Sequence, residues 1–366
     1  MYNFILPMSI PDCTLTTACF NIHHTNENAF SIEKIKEQSD TLMAMPCYLV
    51  VFCDKDTISI LKQKREEYGF LSITKFIQIE MFTFWSSQFL EKVRQNRLKY
   101  WPSKDLRANE YAYLIQCNKF DFLLQTMNWD PFQTSKFGWI DCFLGINGNK
   151  ICENYTTNNI VYVLNNITDK FHFQVLNVCD KNFKNKNLKF IYYRSYQYIM
   201  CGCLFTCSEK IGRPILKRLK EIAEDTINAG YGHGEEMFFL EILDEFENDI
   251  IKSYGDYGQI LNNFIRPTKN FGYIYRFILH HYILRGYYRE AYICAKVLID
   301  AIESQITDVN DEIHMNILFD YYLSVRNTNP DEVQSVVNYI QQICANNPQM
   351  KTEFEKNPNC YGFSAF

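Results

Sequence analysis

Three short motifs that mark common enzyme classes are missing from this sequence. It has no Gly-x-x-x-x-Gly-Lys phosphate loop, no Gly-x-Gly-x-x-Gly after the first predicted strand, and no Gly-x-Ser-x-Gly nucleophile turn. These motifs build the phosphate, dinucleotide and acyl-transfer sites of many kinases, dehydrogenases and hydrolases. Their absence leaves those three functions with little support.

Long apolar runs and secretory features are missing as well. The longest runs, such as residues 47–53, are far too short to span a bilayer, so we expect no transmembrane segment. Residues 1–4 lack the basic segment and apolar core of a signal peptide. The 14 cysteines do not form the tight framework of a short secreted chain, so we expect a cytoplasmic protein with free thiols.

A strong charge of one sign is the third absence. The formal charge is −5, and the Lys-rich run at residues 181–189 is interleaved with Asn, as in a solvated loop. We therefore expect no nucleic-acid partner. The 366 residues suffice for one large domain or two smaller ones.

Apolar runs and helical patterns alternate over the first 141 residues. Strands are predicted at residues 15–20, 48–54 and 73–79, and a further strand ends at Asp141. Helices are predicted at residues 31–43, 58–67 and 110–127. This alternation predicts right-handed βαβ units and an α/β fold with a mainly parallel sheet.

The pattern changes after Asp141. Further strands are predicted at residues 159–164, 171–178 and 191–205, with helices at 211–229, begun by Ser208, and at 235–246. Residues 253–263 are predicted to be turn-rich. Beyond residue 271 the pattern is helical, at 273–284, 288–304, 311–326 and 330–345. We expect a domain over residues 1–270 and an α-helical appendage over 271–366.

Two buried strands end in an acid, at Asp54 and Asp141. In an open α/β sheet, ligands bind beyond the carboxyl ends of the strands. Either carboxylate can therefore contact a cation, a ribose or a base. The alternative for each is a structural role in a turn or a helix cap.

An ordered set of motifs accompanies these acids. Its members are Thr16-Thr17-Ala18, Arg65, Glu110-Tyr111, Lys119-Phe120, Asp130-Pro131-Phe132, Gly138-Trp139-Ile140-Asp141 and Gly255-Asp256-Tyr257. In this order they resemble the HtrL/YibB-like family of predicted GT-A-type glycosyltransferases, over roughly residues 14–263. The resemblance implies a GT-A-like, Rossmann-type mixed sheet flanked by helices, to which the α-helical C-terminal extension is added.

The same resemblance implies a nucleotide-sugar donor, a UDP-sugar first, bound at the carboxyl ends of the first strands. The residues assigned to the donor are Thr17, Asp54, Arg65, Lys119, Trp139, Asp141 and Gly202. Without the resemblance, Lys119 would be taken for a solvated lysine, and Arg65 is open to a pairing with a surface acid instead.

The sequence departs from the family at the metal motif. An Asp-x-Asp pair usually holds Mn²⁺ or Mg²⁺ on the donor diphosphate, but Phe143 stands in the place of the second acid. Asp141 would then need help from Asp256 and His233, although His233 is also explained as an ordinary loop histidine. Alternatively the site uses no metal, and Lys119 or Arg65 offsets the diphosphate charge.

A Gly-rich turn at residues 230–234 precedes two acids, Glu235 and Glu236. An inverting transferase needs a carboxylate base for the acceptor hydroxyl, and both acids qualify, as does an ordinary first helical turn. Cys201, Cys203 and Cys207 lack a second zinc knuckle, so core thiols explain them better.

The predicted function is sugar transfer from a nucleoside-diphosphate donor to a hydroxyl of a glycan, lipid or protein. The alternative is an inactive, glycosyltransferase-like module that docks a protein partner, or a second copy, through its C-terminal helices. A third possibility is hydrolysis of the nucleotide sugar.

Overall fold

A computed structural model gives the fold of the chain. It describes residues 9–99, 105–144, 157–184, 189–194, 199–231, 234–255, 260–265 and 272–356.

One mixed sheet organises the first part of the chain. Its strands are β1 (Cys13–Cys19), β2 (Tyr48–Cys53), β3 (Thr74–Gln78), β4 (Lys136–Ile140), β5 (Phe171–Val175), β6 (Met200–Ser208) and β7 (Ile250–Tyr254), in the order β3-β2-β1-β4-β6-β5-β7. The pairs β1–β2, β2–β3 and β1–β4 are parallel, whereas β6 runs antiparallel to both β4 and β5.

Along the chain, the described helices lie between these strands or after the last of them. They are α1 (Ile32–Gln38), α2 (Asp40–Met43), α3 (Ile58–Glu67), α4 (Leu90–Lys99), α5 (Glu110–Trp129), α6 (Thr157–Asn165), α7 (Lys189–Arg194), α8 (Glu209–Asn228), α9 (Phe239–Ile242), α10 (Ile260–Asn263), α11 (Gly272–Leu284), α12 (Tyr288–Glu303), α13 (Asp311–Thr328), α14 (Val333–Asn346) and α15 (Pro348–Lys356). The predicted fold class, an α/β mixed sheet flanked by helices with a helical C-terminal segment, is confirmed.

The parallel strands carry the apolar composition that covered sheets require. In β2 every residue after Tyr48 is buried, and β1 is buried except for Ala18. Because β1, β2 and β4 are parallel, their carboxyl ends lie at one edge of the sheet. The segments that follow them begin with Phe20, Asp54 and Asp141.

Helix α5 begins and ends where its sequence predicts. The Asn109 side chain accepts a hydrogen bond from the Ala112 N–H at 2.9 Å, which caps the first turn. The helix ends at Asp130, whose φ of 41° is left-handed. Its central residues are largely buried, and it packs against β1, β4 and α8.

One predicted strand is wrong, and another is confirmed only in its last part. Residues 159–164 belong to α6, and the buried side chains Ile160, Val163 and Leu164 recur at helical rather than alternating spacing. The predicted strand at 191–205 begins only at Met200. The aromatic residues before it, Tyr192 and Tyr193, lie buried on α7 instead.

Two further predictions need correction. The predicted helix at 235–246 is a 3₁₀ turn, Glu235–Phe238, followed by the single turn of α9. The segment predicted to be turn-rich at 253–263 contains the end of β7 and the short helix α10. Ser208 does precede α8, but its hydroxyl donates to the Asp169 carbonyl rather than capping the helix.

The chain divides into two compact units. The first comprises residues 1–253 and 257–265, and the second comprises residues 254–256 and 266–366. The sheet and its helices form the core of the first unit. In the second unit, α11, α12 and α13 pack against one another.

The helices and the cysteines bear on two expectations from the sequence, that the chain has no transmembrane segment and that its thiols are free. Within the described ranges, no helix combines the length and the apolarity needed to cross a bilayer. The described cysteines are all free thiols, and all but Cys203 are buried.

Candidate functional site

A cavity of about 310 Å³ lies at the carboxyl edge of the sheet. The end of β1 contributes Ala18 and Cys19 to its wall, and the segment after β4 contributes Asp141, Cys142 and Phe143. A cavity of this size falls in the range of small-molecule sites. Its position agrees with the general location of ligands in open α/β sheets.

Helix α5 supplies one face of the wall. The lining residues Ala112, Ile115, Gln116 and Lys119 follow the spacing i, i+3, i+4 and i+7. Side chains at this spacing lie on one side of an α-helix. Lys119 therefore reaches the cavity because of its register on α5, and it is only 5% exposed.

The strand β4 aims two functional groups at the same side. Trp139 and Asp141 are two residues apart, so their side chains share a face, while Ile140 packs in the core on the other. The Trp139 indole Nε1 donates to Asp141 Oδ1 at 2.7 Å. The Asp141 backbone N–H donates to the Cys203 carbonyl at 2.8 Å, which extends the β4–β6 pairing by one residue.

The Lys119 ammonium connects Asp141, which follows β4, with Glu235, which lies on the 3₁₀ turn at Glu235–Phe238. Its Nζ lies 2.9 Å from Asp141 Oδ1, forms a short ion pair with Glu235, and donates to the Gly202 carbonyl at 3.2 Å. It also lies 5.6 Å from the centre of the Trp139 ring. The three donors of the ammonium are thus matched by three oxygen partners.

Electrostatics keep this lysine charged. Burial lowers the pKa of Lys119, but the carboxylates of Asp141 and Glu235 more than offset that effect and raise the pKa well above its ordinary value. The cluster holds one ammonium and two carboxylates, so one negative charge is left without a cation among these three groups.

The two predicted base candidates are buried. Glu235 is 2% exposed and Glu236 is 8% exposed, on the 3₁₀ turn that packs against β6. A Cβ at Gly202 would lie 2.5 Å from Glu235 Oε1 and 2.9 Å from Glu236 Cγ, so this approach requires glycine. The Gly202 N–H donates to Glu236 Oε1 at 2.9 Å.

Asp54 organises a turn. Its Oδ1 accepts hydrogen bonds from the Asp56 and Thr57 N–H groups at 3.1 and 2.9 Å, which fixes the entry to α3. Its Oδ2 accepts from the Asn21 N–H at 2.6 Å, which ties down the segment after β1. Of the two roles predicted for Asp54, this geometry favours the structural one.

The structure corrects the role predicted for Arg65. Its guanidinium is fully buried and donates to three backbone carbonyls and a hydroxyl, those of Met43, Met45, Cys47 and Thr74. These partners precede β2 or begin β3, at the amino edge of the sheet. Arg65 is therefore at the edge opposite the cavity, with its donors used by the protein.

The remaining predicted residues are placed as follows. Thr17 is buried within β1 beside Val51, and its hydroxyl has no partner within the described part of the chain. It does not line the cavity, whereas Trp139 does. Asp256 and His233 lie outside the described residues.

Two charged residues of the cavity wall, Asp105 and Arg107, were not predicted as site residues. Arg107 Nε and Nη2 donate to the Asp105 carboxylate at 2.9 and 2.6 Å, and the guanidinium lies 5.4 Å from the Phe30 ring centre. Their only sequence signal was their place just before the Asn109 cap of the predicted helix. Arg107 lines this cavity, whereas Arg65 does not.

Phe143 occupies the place of the second motif acid. Its ring contacts Phe30 edge to face, with centroids 5.1 Å apart, and both line the cavity. The position is thus an apolar wall, and Asp141 stands alone as a carboxylate at this point of the segment. No hydrogen bond from the described residues reaches Asp141 Oδ2, and the side chain is 31% exposed.

The chain was compared with known proteins at three levels. No protein-family model and no curated protein matches it, so the HtrL/YibB-like resemblance stays a prediction. Among solved structures, apo mouse xyloside xylosyltransferase 1 matches at 11% identity and a TM-score of 0.37, over 69% of this chain and 93% of that one. The mannosyltransferase PcManGT from Pyrobaculum calidifontis, in complex with GDP-Man and Mn²⁺, matches at 9% identity and a TM-score of 0.31, over 95% and 86%. Likeness at these scores concerns the fold and carries no argument about activity.

Proposed function

We propose that the chain is a glycosyltransferase that takes a sugar from a nucleoside-diphosphate donor. The observation that carries the proposal is the ion network of Lys119 with Asp141 and Glu235, set beside a cavity at the carboxyl edge of the sheet. A buried, charged network at this edge is costly to fold and therefore suggests a functional site. The acceptor we propose is a hydroxyl on a glycan, lipid or protein.

We infer that a divalent cation, Mn²⁺ or Mg²⁺, accompanies the donor. The single positive charge of Lys119 is already offset by the carboxylates of Asp141 and Glu235, so it does not also neutralise a diphosphate. Asp141 offers an oxygen without a protein partner among the described residues, and Mg²⁺ commonly binds through one carboxylate and substrate phosphates. The residues present thus fit the ion, which when bound would neutralise the diphosphate leaving group.

Arg107 is our candidate for direct contact with the diphosphate. It lines the cavity, carries a permanent charge, and uses Nε and Nη2 for Asp105. Its Nη1 has no partner within the described ranges, so it can donate to a phosphate oxygen.

Neither Glu235 nor Glu236 is our first choice for the base. Both are buried and neither lines the cavity, whereas a general base must reach the acceptor hydroxyl. We propose instead that Glu235 positions Lys119, and through it Asp141.

A second candidate function is an inactive binding module. The observation that favours it is Phe143, which replaces an acid with an apolar contact to Phe30. Such a protein would bind the donor or a partner without turnover, with docking through the helices of the second unit.

A nucleotide-release assay separates the two functions. The chain would be offered UDP-, GDP- and CMP-sugars with Mn²⁺, Mg²⁺ or EDTA, and donor binding would be followed in parallel by thermal stabilisation. The test variant is Asp141→Asn. The matched control is Asp169→Asn, an exposed carboxylate that pairs with Lys136 at the start of β4.

Release from one donor that is lost in Asp141→Asn, kept in Asp169→Asn and abolished by EDTA would support the metal-dependent transferase. Stabilisation by a donor without release would support the binding module. Neither release nor stabilisation with any donor would reject the nucleotide-sugar assignment.

A further inference from the structure

Three metal-ligating side chains converge beside the candidate site. Cys201 and Cys203 lie on β6, and Glu236 lies on the 3₁₀ turn that packs against it. Their two sulfurs and one carboxylate oxygen all lie within 4.8 Å of one another. Among the described residues this is the one such group of three or more potential ligands.

An irregularity in β6 brings the two thiols together. Along β5, Phe173 pairs with Phe205 but the next residue, Gln174, pairs with Cys201, so residues 202–204 are skipped in this register. Extra residues of this kind bend a strand and redirect its side chains, and they occur next to functional sites. The sulfurs of Cys201 and Cys203 accordingly lie within 4.8 Å of one another.

Gly202 brings the third ligand into place. Its lack of a side chain admits the turn that carries Glu236, and its N–H holds Glu236 Oε1 at 2.9 Å. One carboxylate oxygen of Glu236 lies close enough to both sulfurs to share an ion with them. The Gly202 backbone N–H therefore holds the Glu236 carboxylate next to the thiols.

The donor set selects a thiophilic ion. Two thiolates and a carboxylate suit Zn²⁺, whereas Mg²⁺ and Mn²⁺ prefer oxygen ligands. A tetrahedral ion with metal–sulfur bonds of about 2.3 Å holds its two sulfurs about 3.8 Å apart. The three ligand atoms lie within 4.8 Å of one another, so their positions are compatible with this sulfur–sulfur distance.

The cluster is open on one side. Cys201 and Glu236 are buried, but Cys203 is partly exposed and lines the cavity that also contains Asp141. An ion held here by three protein ligands would keep its fourth position toward the cavity. Zinc sites with three protein ligands and an open position are typical of catalytic rather than structural zinc.

We propose that Cys201, Cys203 and Glu236 bind one Zn²⁺ beside the cavity, with a water or substrate oxygen as the fourth ligand. This ion is distinct from the Mn²⁺ or Mg²⁺ that we infer at Asp141. The proposal does not depend on the glycosyltransferase assignment.

Cobalt titration tests the site in the full-length chain. The chain would be freed of metal with a chelator, titrated with Co²⁺ and then with Zn²⁺, and followed by thiolate-to-cobalt charge-transfer absorption. We expect one Co²⁺ per chain with this absorption, and its displacement by one Zn²⁺. Loss of at least tenfold in affinity is expected for Cys203→Ser and for Glu236→Gln.

Two variants serve as controls, Cys142→Ser and Asp141→Asn. Cys142 is another thiol of the same cavity outside the cluster, and Asp141 belongs to the proposed donor site. Both should keep the cobalt absorption, so a failed transferase assay does not affect this result. Absence of the absorption in the unmodified chain, or equal absorption in Cys203→Ser and Cys142→Ser, would overturn the proposal.

Discussion

The indole N–H of Trp139 points at the Oδ1 atom of Asp141, 2.7 Å away, and Lys119 Nζ reaches the same oxygen at 2.9 Å. One carboxylate oxygen is thus held from two directions, by a strand neighbour and by a helix. The residue lines the cavity, and its other oxygen accepts no hydrogen bond from the described residues. This arrangement fixes Asp141 before any ligand arrives, which is what a preorganised site requires.

Trp139→Phe should therefore loosen Asp141 while keeping an aromatic ring in place. We expect a loss of about 1–3 kcal/mol in the free energy of unfolding, because a hydrogen bond to a charged group disappears. Nucleotide release should fall by about tenfold. The control is Trp129→Phe at the exposed end of α5, which should change neither quantity; equal effects in both variants would refute the role of the indole.

Lys119→Met should be among the most destabilising changes in the first unit. It leaves Glu235, 2% exposed, as a buried carboxylate without its cation, at a cost of about 3–5 kcal/mol. Urea unfolding measures this, and a second change, Glu235→Gln, should recover part of the loss. Lys136→Met removes a cation from the exposed Asp169 and should cost at most about 1 kcal/mol. Similar losses in the two lysine variants would contradict the proposed network.

Arg65→Met should mainly lower the stability of the fold, whereas Arg107→Met should mainly weaken donor binding. Arg65 satisfies three buried backbone carbonyls, so its removal should cost about 3 kcal/mol or more. Arg107 is at the cavity, so its loss should weaken donor binding by about tenfold with little change in stability. For both variants, donor titration measures the change in donor affinity, and urea unfolding measures the change in the free energy of unfolding. Unchanged donor affinity in a folded Arg107→Met chain would remove Arg107 from the site.

His172 should make stability fall in acid. Burial lowers its pKa to about 3, its ring stacks on Phe264, and neither ring nitrogen has a partner in the part of the chain that the structure describes. The unfolded chain, with a histidine pKa of about 6.5, binds the proton first. The contribution of His172 is thus fully present above about pH 6.5 and is lost as the pH falls toward 3, at about 1.4 kcal/mol per pH unit.

Unfolding free energies between pH 4 and 7.5 test this dependence. His172→Phe should have a flatter profile than the unmodified chain and at least equal stability at pH 7, since it removes unpaired polar atoms. His24→Phe, in an exposed turn, should keep the original slope. Parallel profiles for the unmodified chain and His172→Phe would show that other groups control the acid response.

Much of the sheet could be predicted from the sequence, because its signals are local. The run at β2 is apolar throughout since both faces are covered, and Asn109 and Asp130 mark the ends of α5. The strand predicted at 159–164 failed because a short run of β-branched residues fits both a strand and a helix. Only the burial of Ile160, Val163 and Leu164, three and four residues apart, shows which face of the helix is buried.

The site was predictable only in part. Asp141 was predicted as an acid at the end of a buried strand and Lys119 only through the family resemblance. The Lys119–Glu235 pair joins residues 116 positions apart, for which no local pattern exists. The role of Arg65 depends on carbonyls that tertiary packing turns toward it, and no sequence pattern encodes that. Arg107 was not predicted because no sequence pattern shows that its side chain lies beside Phe30 and Asp105 in the wall of a cavity.

The single helical face that lines the cavity has a consequence for evolution and for engineering. From Ala112 to Lys119, every cavity residue of α5 shares one register, and each residue of an α-helix advances the direction by about 100°. A one-residue insertion or deletion in this stretch would turn Lys119 away from Asp141 and bring a core side chain into the cavity. Homologues that keep this site should therefore differ here by substitution and not by length, and libraries that vary the specificity of the cavity should do the same.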